Sequence, residues 1–240
     1  MKIKTSLFVG TIFYTVGIIV AFFLLCLIVW GDLEASLFSS GLDAEKSLSL
    51  RCPVFLSPYE TGVISAKFKN PTDNDWKRYT RVFISEGFIT LMREIKTTIP
   101  IPAGTTETAF WEVYPEDAAY DRIIFFRIYV HAKYPYPSLE GSCGIIMLDY
   151  WGLSGKQILI SLIVFSITCI FFGILIWRLS FRVSEHDFHK HLNARYALIL
   201  ALYLGIGIGY LGSWVIALLM LTISLLMTGI IIGRKFSPMT

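Results

Sequence analysis

Charge is what this sequence has least of. Only 16% of its 240 residues are Asp, Glu, Lys or Arg, against about 25% in an ordinary soluble domain. The shortage is local: residues 5–31, 157–177 and 196–233 carry no formal charge at all. A bilayer core about 30 Å thick is crossed by about 20 apolar helical residues, and each stretch is long enough. An ordinary soluble globule is therefore excluded. Ion and proton pathways usually place Asp, Glu, Lys or Arg within the membrane, and these apolar cores have none. A transporter core of paired broken helices is likewise not evident.

A strongly basic face is also lacking. Residues 31–155 hold 12 Lys or Arg against 16 Asp or Glu, a mildly acidic segment with no electrostatic footprint for nucleic acid. The basic residues gather at the ends of the apolar runs, where they act as topology determinants. Lys2 and Lys4, residues 178–195, and the pair Arg234 and Lys235 fall on one side if the chain crosses four times. The positive-inside rule puts that side in the cytoplasm.

The first apolar run, residues 7–30, is longer than the roughly 7–15 residues of a signal-peptide core, and no small-x-small cleavage site ends it. It reads as an uncleaved anchor. The last run has 38 residues without a charge, which would reach about 57 Å as one helix. It must be two spans, and the break falls between Gly209 and Trp214, where glycine permits a turn and Tyr210 and Trp214 suit an interface.

Between the first two runs the period changes to two. Ile64, Ala66 and Phe68 alternate with polar neighbours, as do Thr80, Val82 and Ile84, then Ala109, Trp111 and Val113, then Ile124, Phe126, Ile128 and Val130. Alternation of this kind marks half-buried strands. Turn residues separate about seven of them, the pattern of a β-sandwich, and an immunoglobulin-like arrangement is the expectation by fold-level analogy.

Cysteine is sparse, with four in all. Cys26 and Cys169 lie in apolar runs and are expected to pack as inert side chains. Cys52 is expected to open the first strand and Cys143 the last, and on the extracytoplasmic side the two are expected to form a disulfide.

Chemistry-bearing clusters are few. His186, His189 and His191, beside Glu185 and Asp187, could ligate zinc or a transition metal. The competing reading, a loop facing anionic headgroups, is preferred, so no metal is expected. Asp73 and Asp75 lack the glycine and bidentate Glu of a calcium loop. Ser142 and Cys143, with His131 on a nearby strand, lack an orienting third group. No enzyme activity and no cofactor are expected. Gly205 and Gly209 share a helical face at G-x-x-x-G spacing, which lets helices approach closely. Tyr134 and Tyr136, in a proline-rich loop, are candidate interface residues.

The expected architecture is a transmembrane helix at 1–31, a linker at 32–47, an extracytoplasmic immunoglobulin-like β-sandwich at 48–155 and a second helix at 156–178. A cytoplasmic loop at 179–195, helices at 196–212 and 213–233, and a cytoplasmic tail at 234–240 complete it. The function expected of such a chain is that of a non-catalytic accessory or scaffolding subunit, with other membrane subunits and the lipid bilayer as partners. The alternatives are a membrane receptor or sensor whose sandwich binds an envelope ligand, and a small channel or transporter component.

Overall fold

The structure, a computed structural model, describes residues 2–37, 44–134, 136–180 and 185–236, with the side chains of 2–5, 89–90, 185–192, 232 and 234–236 outside the description. Among the described residues there are four helices: α1 Lys2–Leu37, α2 Gly155–Ser180, α3 Glu185–Tyr210 and α4 Trp214–Phe236. Between α1 and α2 lie β1 Lys46–Ser47, β2 Leu50–Arg51, β3 Phe55–Leu56, β4 Gly62–Lys69 and β5 Trp76–Glu86. These are followed by β6 Phe88–Ile101, β7 Thr106–Val113, β8 Ile123–Val130 and β9 Leu139–Met147. The chain divides into two compact units, one of residues 1–27, 160–209 and 215–240, the other of residues 28–159 and 210–214.

Among the described residues, stretches of three helices are long and apolar enough to cross a membrane: Ser6–Leu37, Gly155–Ser180 and Trp214–Ile231. Small residues let α1 and α2 touch. A Cβ on Gly17 would lie 2.8 Å from the Ser166 carbonyl oxygen, and one on Gly173 would lie 2.7 Å from the Tyr14 backbone nitrogen. Ser166 Oγ donates to the Gly17 carbonyl at 2.7 Å and lies 2.8 Å from the Tyr203 hydroxyl of α3. Buried Tyr14, Ile170 and Trp177 pack with Ile199 and Tyr203, and the Arg195 guanidinium covers the Trp177 ring at 4.1 Å. A desolvated cation over indole is a favourable contact, and it seats the start of the apolar part of α3.

The β unit has two sheets. One runs β1-β9-β8-β5-β6, with β3 also paired to β9, and the other runs β2-β4-β7. Alternation explains them. On β4 the residues Ile64, Ala66 and Phe68 are buried while Val63, Lys67 and Lys69 are exposed. They join Val82 and Ile84 of β5, Trp111 and Val113 of β7, and Ile124, Phe126 and Ile128 of β8 in one hydrophobic core fed by both sheets. Strand β8 is buried on both faces, because its outer residue Phe125 packs with Phe83, Ala119 and Ala35. That is why its sequence reads as a nearly continuous apolar run.

Ala35 belongs to α1, which continues to Leu37. Asp32–Leu37, where a linker was expected to begin, is helical; the Asp32 carboxylate accepts from the Gly144 amide at 3.4 Å, and Ala35 is buried against Phe125. A Cβ on Gly144 of β9 would collide with the Gly31 carbonyl, so helix and strand meet backbone to backbone. Cys52, expected to open a strand, follows β2 instead, and Cys143 lies in the middle of β9. The two are bonded, with Cα atoms 6.5 Å apart, which ties the segment after the first strand of one sheet to the other sheet. The break at 210–214 is a turn with Gly212 at φ +82°, a conformation that glycine adopts without a Cβ clash.

Candidate functional site

At one end of the shared core, a cavity of about 240 Å³ is lined by Lys46, Lys67, Phe68, Lys69, Pro71, Trp76, Arg78, Ile101, Tyr136, Pro137 and Leu139. Four of these residues are cations and none is acidic. The register of β5 explains the most unusual of them. Trp76, Arg78, Thr80, Val82 and Ile84 fall on one face of the strand, and that face is the core face. Arg78 therefore stands where a hydrophobic residue would ordinarily close the core, and it is only 4% exposed.

Its guanidinium is half satisfied. Nη2 donates to the Pro137 carbonyl at 2.9 Å, and Cζ lies 6.0 Å from the Trp76 ring centre. Nη1 is buried with no hydrogen-bond partner among the described residues. Burial pushes the Arg78 pKa below its ordinary value, yet arginine keeps its charge in proteins. A buried cation short of one partner is costly unless something supplies that partner. Lys46, Lys67 and Lys69 are exposed and add positive potential around the opening.

The aromatic wall comes from two elements. Trp76 begins β5, and the Tyr136 ring lies 4.0 Å from it, tilted by 51°. Lys133 and Tyr136 exchange backbone hydrogen bonds of 3.1 and 2.7 Å, closing a tight turn that brings Tyr136 back onto Trp76. Tyr134 stands at the tip of that turn, 98% exposed. The structure thus separates the two tyrosines expected at an interface: Tyr136 lines the cavity and Tyr134 faces outward.

Buried Asn70 holds the adjoining turns. Its Nδ2 donates to the carbonyls of Asn74, Ile101 and Pro102 at 2.8, 3.1 and 3.2 Å, and its Oδ1 accepts from the Thr72 amide and hydroxyl. Asn70→Ala removes all of these hydrogen bonds from a fully buried position, although Pro102 and Asn74 keep contacts from Thr105 and Thr72. It is expected to cost about 2–4 kcal/mol, seen as a lowered denaturation midpoint with an unchanged slope. The Asp75 carboxylate accepts from the Ala103 amide at 2.9 Å, so it serves this same pair of turns.

The other sequence candidates lie elsewhere. Cys143 is committed to its disulfide, and His131 is packed between the rings of Tyr79 and Tyr129, each at 4.9 Å. The backbone of His186, His189 and His191 is helical, within α3, but their side chains lie outside the described residues. Gly205 packs against this chain's own Leu25 and Met220, at 2.9 and 3.0 Å from the position of a Cβ. Gly209 is buried as well. Sequence reasoning stopped the β5 alternation at Thr80. Carrying it back by twos to Arg78 and Trp76 is the signal that finds the cavity.

No protein-family model matches the chain, and no curated protein matches it. Among solved structures, the chain is similar over 45% of its length to a cycloisomaltooligosaccharide glucanotransferase of Paenibacillus sp., at 13% identity and a TM-score of 0.33. It is similar over 45% to a β-glucosidase of Listeria innocua, at 15% identity and 0.28, and over 40% to a β-glucuronidase of Bacteroides uniformis, at 16% identity and 0.28. The matched part spans 15%, 16% and 12% of those chains.

Proposed function

We propose that this chain is a membrane-anchored receptor or sensor, a non-catalytic binding protein whose β unit takes an anionic envelope ligand. In this reading four helices anchor it with both termini in the cytoplasm, and an immunoglobulin-like sandwich stands outside. The packing of Ile199 and Tyr203 against Tyr14 and Trp177 supports counting α3 as a span. Two sheets around one core, tied by a disulfide of the kind that persists outside the cytoplasm, support the sandwich and its side.

The observation that carries the function is Arg78, a buried cation with an unpartnered nitrogen in a cavity that holds three lysines and no acid. A carboxylate or phosphate oxygen supplies the missing acceptor, since guanidinium groups favour both. Trp76 and Tyr136 offer ring faces to the body of the ligand, and the small volume suits one sugar-sized unit rather than a long polymer. An acidic saccharide meets both requirements. Calorimetry on the full chain in detergent, titrated with a uronic acid, its neutral parent sugar and inorganic phosphate, tests this. Binding of the acidic sugar at least tenfold tighter than the other two is expected. Equal affinity for the neutral sugar would exclude an anion-reading site.

A second reading, an accessory subunit of a larger membrane assembly, is favoured by Tyr134, whose ring projects fully exposed from a tight turn. Mild-detergent purification followed by mass spectrometry decides it. Stoichiometric companions that are lost in Tyr134→Ala support this reading, and a lone protein rules it out.

A further inference from the structure

We infer that a second cavity, at the start of α2 and separate from the Arg78 site, is a seat for the phosphate headgroup of an anionic phospholipid, held by Arg51 and Lys156. The cavity has a volume of about 290 Å³, and its walls include Arg51, Glu60, Lys156, Leu159 and Tyr210.

Its place along the chain sets its depth. Helix α2 has 26 residues and so extends about 39 Å, roughly 9 Å more than a bilayer core. The first turn of such a helix stands at headgroup level while the rest lies in hydrocarbon. Lys156 and Leu159 are in that first turn and a half. The turn cannot drift, because a Cβ on Gly155 would collide with the Phe55 carbonyl; only glycine lets the helix start so close to β3. Exposed aromatics mark the same level. Tyr150 and the 88% exposed Trp151, stacked at 5.1 Å, precede α2, and the exposed Tyr210 lines the cavity itself. Tyr and Trp concentrate at membrane interfaces because their rings are apolar and their tips polar.

The charges in the cavity are unevenly committed. Glu60 Oε1 accepts from the amides of Ser57 and Gly155, at 2.8 and 2.6 Å. Ser154 and Gln157 form a reciprocal cap on the same helix start, at 3.0 and 3.3 Å. The acid and the helix amides thus satisfy one another. Arg51 and Lys156 are exposed and make no ion pair among the described residues. Two uncommitted cations above an apolar wall match a phosphate whose acyl chains run down the helix. A free phosphate would use the cations and leave Leu159 and the aromatic rim without a role.

The test uses the full chain in nanodiscs of phosphatidylcholine, with and without phosphatidylglycerol, and reads the thermal midpoint. The anionic lipid is expected to raise the midpoint by roughly 2–4 °C. The Arg51→Gln/Lys156→Gln variant is expected to lose most of that rise while matching wild type in pure phosphatidylcholine. Inorganic phosphate added to phosphatidylcholine discs is expected to leave wild type unmoved. An equal rise in the variant overturns the site, and so does a phosphate-induced rise as large as the lipid's, which would mark a free-anion site. If the double variant does not fold, Lys156→Gln alone, exposed and unpaired, is read in the same way. The two cavities share no residue, so failure here leaves the receptor reading standing.

Discussion

Arg78→Met is expected to weaken acidic-saccharide binding steeply while leaving the β unit folded. The side chain sits on the core face of β5, 4% exposed, between Trp76 and Thr80 on the same face. Methionine is an unbranched apolar side chain that fills irregular core gaps. Removing a half-satisfied buried cation in favour of an apolar group also relieves its desolvation cost, and such exchanges are often neutral or stabilising. A charge-assisted hydrogen bond removed with it is worth about 2–3 kcal/mol, or roughly 30–150-fold in affinity. The unusual signature is therefore opposite signs: binding falls steeply and the thermal midpoint holds or rises. Arg78→Lys is expected to fail as well, because an ammonium cannot keep the Pro137 contact and present a second, fixed N–H. Calorimetry and thermal denaturation on the same samples check both. Retained affinity in Arg78→Met would remove the central observation behind the receptor reading.

The largest loss of stability is expected on breaking the Cys52–Cys143 bond. The two residues are 91 positions apart, and closing a loop of that length restrains the unfolded chain by about 4–5 kcal/mol in the chain-entropy treatment. The bond also joins the loop after β2 to the centre of β9, across the core that the two sheets share. Cys52→Ala/Cys143→Ala is expected to lower the unfolding free energy by that amount, measured by denaturant titration of the β-unit signal. Alkylation supplies an independent check. Denatured, unreduced protein is expected to label only at Cys26 and Cys169, and reduced protein at all four. Labelling at four sites without reductant, in protein from its native membrane, would contradict both the bond and the extracytoplasmic placement drawn from it.

Several elements were legible because they rest on one-dimensional patterns. Uncharged runs longer than a bilayer core is thick marked the apolar helices, and the period-two stretches around Ile64, Val82, Trp111 and Ile124 are the core-facing sides of β4, β5, β7 and β8. The length of the last run demanded a break, and its glycines and interface aromatics put that break between Gly209 and Trp214. Helix α1 was read six residues short, because the polar stretch 32–37 looks like a linker when its partner strand is unknown. Its Asp32 side chain meets the Gly144 amide, 112 positions away.

The cavities were harder to see for the same reason. Lys46, Lys69, Arg78 and Tyr136 come from four separate stretches of chain, and no spacing rule connects them. Arg51 and Lys156 are likewise brought together by the contact of β3 with the start of α2. The sequence by itself determined apolar runs long enough to cross a membrane and an alternating β segment, since hydrophobic length and period are local properties that each stretch carries alone. Only the tertiary structure decided which cations share a cavity and which lack partners among the described residues, because pairing and burial depend on strand register and on backbones that meet at distances only glycine allows.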